Sequence, residues 1–419
     1  MKISAIRIKR IFAVAASFTL MLGGCIFDIP AMSVNAATSN SADVTGVLIN
    51  GEIKQIIENS SGGKSGSGGS SKSSSSGSSS SSNSSSSSNS SGSAPTTITY
   101  RIKSEPNIAV KDISTNADSI TIPATVTCDD GKKYFVTGIQ GDSLTTNRTV
   151  KELVIGDNVE TISADAFSDC YGLEKLTLGA RVRTIGEDAF RHCIRLNSVT
   201  FGANVETIGK HAFAGAQSLT SVKLGNRVTT IGAGAFKNNF SLTTVTMGDS
   251  VNRISRNAFR NNISLKSISL PESLTELAPG VFYGDTHLTS VTFGHRISNI
   301  GQRAFTDTAL TTVTIPDSVK NIHESTFRRC RYLTSLTLGS NVTRIAPDAF
   351  RGDNFLTTVT VNTTSLSSVG LKAFGGISRS AEFTITAAKP VYKAEVALFK
   401  ASKLPKSVKF TRVKPEQNK

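Results

Sequence analysis

An α/β-type solenoid of about ten 23-residue units, with a parallel strand wall and short helical turns, is the fold class this sequence predicts. Three observations carry the prediction. Phe167, Phe190, Phe213, Phe236, Phe259, Phe282 and Phe305 recur at intervals of 23, and Phe327, Phe350 and Phe374 follow at 22, 23 and 24. Five residues before each Phe stands an aliphatic, as at Ile162, Ile185, Ile208 and Ile231, and six after stands Leu, as at Leu173, Leu196, Leu219 and Leu242. An alternating apolar pair then follows, as in Leu176/Leu178, Val199/Phe201 and Val222/Leu224. One unit buries about six apolar side chains at ~1.5–3 kcal/mol each, whereas ordering its backbone costs ~1–2 kcal/mol per residue. No unit folds alone, so neighbours must stack.

Within a unit, the alternation in L-x-x-V-x-L reads as a strand with one buried face. The Gly or Pro after it, as at Gly179, Gly202 and Pro271, turns the chain. The V-x-x-I segment returns along the opposite wall, and the Ala-Phe pair is expected to cap a short helical turn. Ahead of the repeats, Lys2, Arg7, Lys9 and Arg10 precede the apolar run Ile11 to Leu22, the pattern of an export signal over residues 1–36. Two processing readings stand: cleavage after Val34-Asn35-Ala36, or lipidation of Cys25 behind Leu22-Gly23-Gly24. An uncleaved anchor is a third, although the run is short of the ~20 residues a span requires. Residues 37–59 carry scattered Val, Leu and Ile and read as a short hairpin or helix. Residues 60–94 hold a Ser/Gly/Asn tract that buries nothing, and are expected to be a disordered linker serving as a stalk. An irregular cap follows over 95–145, the repeats over 146–376, and a carboxy-terminal cap with a basic tail over 377–419.

Composition limits the function classes. The 419 residues contain no Trp, 6% aromatics and five Cys, too few for a disulfide scaffold. A mean hydropathy of -0.07 excludes a multi-span membrane protein. The net charge of +15 invites an anionic partner. From Arg379 onward, ten Lys/Arg face three Glu.

The 23-residue unit with Ala-Phe and L-x-x-V-x-L-G resembles the BspA-like (Treponema pallidum-type) bacterial leucine-rich repeats, over roughly Thr121 to Gly376. The resemblance implies a leucine-rich repeat fold and a secreted or surface-displayed protein that binds other molecules. It supplies no ligand, because the repeated residues are structural. The 22-residue unit ending at Phe327 departs from the pattern and is expected to change the curvature locally.

Two outward columns bracket the middle strand residue. They contain Thr177, Thr200, Lys223, Thr244, Thr246, Thr292, Thr312, Thr314, Thr337, Thr358 and Thr360, spaced by the ~4.8 Å between neighbouring strands. Hydroxyls at that spacing suit a protein or glycan surface, although Thr is also favoured in strands for its own sake. Arg191, Lys237, Arg260, Arg328 and Arg351 each follow a spine Phe and form a candidate basic edge, or simply a solvated one. Cys170, Cys193 and Cys330 share a slot three residues after Phe; parallel side chains there favour free thiols over a bridge. His192, His211, His287, His295 and His323 occupy unrelated slots, and no HExxH, GxSxG or phosphate-loop pattern occurs. The expected function is therefore non-catalytic binding in adhesion or recognition, without cofactor or metal. The partner is an extracellular protein or glycan, or an anionic cell-wall polymer; nucleic acid is not expected, and a membrane only through lipid on Cys25. The alternative is a wall-associated spacer held by the basic tail.

Overall fold

The computed structural model describes residues 17–22, 25–30, 44–49, 52–57 and 95–415. The tract 60–94 and most of the export-signal stretch lie outside them. Ser17–Leu22 and Cys25–Pro30 pair antiparallel, with Cys25 opening the second strand.

Repeats stack in register as a pile of coils with two strand walls. On one wall, three-residue strands pair in parallel, Lys175 against Ser198 and Ser221 against Thr244. On the other, two-residue strands pair Thr161 with Thr184 and Ile162 with Ile185, continuing to Arg253–Ile254. All ten spine Phe side chains are fully buried. Successive rings stack at centroid distances of 4.9–5.7 Å and interplanar angles of 2–18°. Beneath them runs a backbone ladder: Phe167 N donates to Ala189 O, Phe190 N to Ala212 O, Phe213 N to Ala235 O. Ala precedes eight of the ten spine Phe residues, and Val281 and Thr326 take its buried place before Phe282 and Phe327.

The Ala-Phe segments are not helical. Each folds as consecutive tight turns, because the residues two before and two after Phe take positive φ, such as Asp165 (58°) and Asp169 (59°) in one coil and Asn257 (57°) and Asn261 (60°) in another. A left-handed residue every few positions interrupts helical hydrogen bonding. Lys389–Ala401 is the one helix among the described residues. The shortened unit leaves the spine continuous: Phe327 stacks at 5.3 Å on both Phe305 and Phe350. Its missing residue falls in the turn between Phe305 and Leu310.

The amino-terminal cap is a closed ring of six strands. Lys133–Ile139 pairs with Asn107–Ser114, which pairs with Thr96–Ser104, then Glu52–Ile57, Val44–Ile49 and Thr125–Cys128, which returns to Lys133–Ile139. Ile53, Ile98, Ile108, Val126 and Val136 fill it, and Tyr100 donates a buried 2.6 Å hydrogen bond to Gln55 Oε1. Closure leaves no open edge within the cap, and Lys133–Ile139 continues directly into the two-residue strand wall. The hairpin at 44–57 is therefore part of this cap. Ile57 lies opposite Thr96, so the residues flanking the Ser-rich tract are held on adjacent strands; the tract itself, expected to be a stalk, lies outside the described residues.

At the other end the basic stretch is folded through Val413. Glu382–Thr386 continues the three-residue wall, Lys409–Val413 pairs beside it, and the helix covers the last coil. Phe383, Phe399 and Phe410 gather around Phe374, closing the aromatic column with tilted rings where the stack would otherwise meet water.

Candidate binding surface

The three-residue strand wall carries the predicted hydroxyl columns. The middle residue of each strand points inward, and the flanking ones are exposed or half-buried. Register places Thr177 beside Thr200, Lys223 beside Thr246, Thr314 beside Thr337 and Thr337 beside Thr360. None of the hydroxyls of Thr177, Thr200, Thr244, Thr246, Thr292, Thr312, Thr314, Thr337, Thr358 and Thr360 makes a hydrogen bond within the described residues. A neighbouring column, just ahead of each strand, behaves differently. Thr243 Oγ1 donates to Thr220 O, Thr289 to Lys266 O, Thr334 to Thr311 O and Thr357 to Thr334 O. One Thr column thus ties coils together, and the wall columns keep their hydrogen-bonding capacity for solvent or ligand.

The wall is notched at three places. Within coil pairs, Leu178 N donates to Thr200 O, Leu224 N to Thr246 O, Leu270 N to Thr292 O and Ile315 N to Thr337 O. Strand pairing stops between these pairs, after the strands that end just before Phe201, Met247 and Phe293. Those positions hold Leu or Ile in the paired coils. Phe201 and Phe293 instead turn edge-on against Phe213 and Phe305, at 5.7 and 5.8 Å. The bulkier side chain takes the space in which the next coil would close its ladder.

Beside the wall runs a line of exposed apolar side chains that sequence reading missed: Ile194, Phe240 and Ile263, four residues after a spine Phe, and Tyr332 and Phe355, five after. Tyr332 and Phe355 are each 61% exposed. The signal was present as large apolar residues in a turn slot that polar residues fill elsewhere, such as Gln217 and Thr286.

The predicted basic edge divides in two. Arg191 pairs with Asp188 at 3.6 Å and Arg351 with Asp348 at 3.3 Å, each an acid three residues earlier. Lys237, Arg260 and Arg328 have no ion pair among the described residues. Arg260 lies over the Tyr283 ring at 4.5 Å, and its Nε is buried without a hydrogen-bond partner.

Inside, the slot three residues after Phe is a buried polar ladder. Asn262 Oδ1 accepts from Asn239 N at 3.0 Å, Asp285 Oδ1 from Asn262 N at 2.8 Å, and Asp353 Oδ1 from Cys330 N at 2.9 Å. Burial raises the carboxyls of Asp285 and Asp353 well above the usual range. Cys128, Cys170, Cys193 and Cys330 are free and buried. Burial pushes the Cys170 thiol up to about 12, which removes its thiolate reactivity. Among the described residues no group of three or more His, Cys, Asp or Glu could hold a metal ion. No described helix is long and apolar enough to cross a membrane.

Comparison with solved structures finds bacterial leucine-rich repeat proteins among those similar to this chain. A leucine-rich cell-surface protein of Faecalibacterium prausnitzii is 22% identical, covering 71% of this chain and 95% of its own, with a TM-score of 0.42. The pneumococcal vaccine antigen PcpA is 20% identical over 76% and 97%, with a TM-score of 0.42. The leucine-rich repeat protein of T. pallidum is 23% identical over 50% and 85%, with a TM-score of 0.40. No curated protein matches. The family model for the BspA type leucine-rich repeat region matches residues 139–266 and 252–380. That is more than half of the chain, and it coincides with the coils whose Phe rings form the stacked column. The chain accordingly belongs to the BspA-type leucine-rich repeat family.

Proposed function

We propose that this chain is a non-catalytic binding protein of the cell surface or extracellular space, acting in adhesion or recognition of an extracellular protein or glycan. The observation that supports this most is the strand wall: ordered columns of hydroxyls, free of hydrogen bonds among the described residues, bordered by exposed Phe240, Tyr332 and Phe355. Aromatic anchors beside adaptable polar groups are the composition of contact surfaces. The export signal read from the sequence fits an extracellular site of action. The spacer alternative loses support, because the basic stretch it relied on is built into the cap through Val413.

The test compares wild type with a Thr200→Glu, Thr246→Glu, Thr314→Glu variant, altered in three separated coils. Both are titrated against immobilised extracellular-matrix glycoproteins and a glycan panel, with thermal melts confirming equal folding. Saturable wild-type binding that the variant loses supports the wall. Absence of saturable binding to every class, or undiminished binding by the variant, refutes it.

A further inference from the structure

We propose a second, separate site: an oxyanion-binding cleft on the edge of the Phe column, which takes the sulfate ester or phosphodiester groups of an anionic polysaccharide-type polymer. It is lined by Arg256, Arg260, Arg303, Asn257, Gln302 and Tyr283, with Pro279 and Gly280 at its floor, and has a volume of about 560 Å³.

One coil on this edge lacks a side chain. The slot two residues before Phe holds Asn257 and Arg303 in the coils on either side, and Gly280 between them. Gly280 keeps the left-handed backbone of that slot at φ 67°. The Asn257 amide lies over it, so close that a Cβ built on Gly280 would come 2.5 Å from Asn257 Oδ1.

Its charge is uncompensated. None of Arg256, Arg260 and Arg303 makes an ion pair among the described residues, and no acid lines the cleft. Of the acids on adjoining coils, Asp307 is engaged by Arg329. Glu324 lines a neighbouring cleft with His323 and Arg344. Elsewhere on this edge the protein does supply counter-charges, at Arg191 and Arg351. Arg260 is also held in place: its guanidinium lies over Tyr283, and its buried Nε donates to nothing within the chain. The side-chain amides of Asn257 and Gln302 likewise make no hydrogen bond among the described residues. Three guanidinium forks and two amides converge on one concavity, the donor set that oxyanions accept.

The ligand is polymeric because the cationic line continues. Lys237 precedes the cleft by one coil and Arg328 follows by one, neither of them ion-paired. With coils ~4.8 Å apart, the stretch from Lys237 to Arg328 covers roughly 20 Å. A chain of repeating charges can follow that line, with one charged group seated in the cleft.

The experiment uses the full chain and three probes: heparin for sulfate esters, poly(glycerol phosphate) for phosphodiesters, and hyaluronan as a carboxylate control. Affinities are measured calorimetrically at two salt concentrations. The expected result is binding of heparin or poly(glycerol phosphate), whichever is the matching source, in preference to hyaluronan. Arg256→Ala with Arg303→Ala should weaken it about tenfold or more, since charge-assisted hydrogen bonds are lost. Arg191→Ala with Arg351→Ala should weaken it much less. Gly280→Asn tolerates positive φ and changes no charge, but its Cβ displaces the Asn257 amide from the cleft, so it should also weaken binding. The proposal is overturned if neither polymer binds at low salt, if both arginine pairs matter equally, or if Gly280→Asn binds as wild type while its melting temperature is unchanged. Failure here leaves the strand-wall substitutions unaffected, so the two surfaces are tested independently.

Discussion

Replacing Asp285 by Asn should stabilise this protein at neutral pH and flatten the dependence of its stability on pH. Asp285 is fully buried three residues after Phe282, where its Oδ1 accepts from Asn262 N and its Oδ2 has no partner. Burial raises its carboxyl well above the ordinary carboxylate range. A raised acid contributes its stability below the unfolded value and loses it as pH rises toward the folded value, because the unfolded chain ionises first. Wild type should therefore weaken between about pH 4 and neutrality. The coil before shows what Asn does in this slot: Asn262 Nδ2 donates to Phe259 O at 2.6 Å. Asn at 285 would keep the bond from Asn262 N and donate to Phe282 O. The gain is a hydrogen bond of about 0.5–1.5 kcal/mol together with relief of an unsatisfied buried group worth about 1–3 kcal/mol. We expect about 2 kcal/mol at pH 7, or about 3 °C in melting temperature for a folded body of this size. Far-UV circular dichroism melts at pH 4.5 and 7.5 measure it, and the absence of Trp makes fluorescence the poorer probe. A variant that melts below wild type at pH 7.5, or gains equally at both pH values, would refute the reasoning.

Three further substitutions probe the same architecture. Phe259→Ala removes a buried ring stacked at 5.4 and 5.7 Å between Phe236 and Phe282, and should cost about 3–5 kcal/mol in denaturant unfolding. Asn262→Ala should cost about 1–3 kcal/mol, because it strands Asn239 N. Asn239→Ala should be near neutral in the same assay, since neither polar atom of its side chain has a partner. Glu395 is buried in the carboxy-terminal helix with both carboxylate oxygens unpaired, and burial raises it to about 7. Its stabilising contribution is present below about pH 4.5 and fades as pH rises through 7, so Glu395→Gln should protect the helix from proteolysis at pH 8 and change little at pH 5.

The coil register was legible because a Phe and an aliphatic return to the same places ten times and a Leu eight times, and stacking admits only one phase for such a pattern. The wall columns followed from strand alternation, and they lie where that alternation puts them. The turns were misread as helical. Apolar spacing does not report φ, although Asp, Asn, His and Gly two residues either side of Phe were a signal for left-handed backbone. The closed cap was not legible, since its pairings join Glu52–Ile57 to Thr96–Ser104 across a tract that carries no pattern of its own. The division of the basic edge was readable in principle: Asp188 and Asp348 stand three residues before Arg191 and Arg351. The cleft needed the structure, because its lining, Arg256 and Arg260, Gly280 and Tyr283, Gln302 and Arg303, is drawn from three successive coils.

The closed cap has a consequence for how the molecule is held. The strands flanking the Ser-rich tract are stitched into one ring, so a force reaching Val44 is spread around that ring before it meets the first coil.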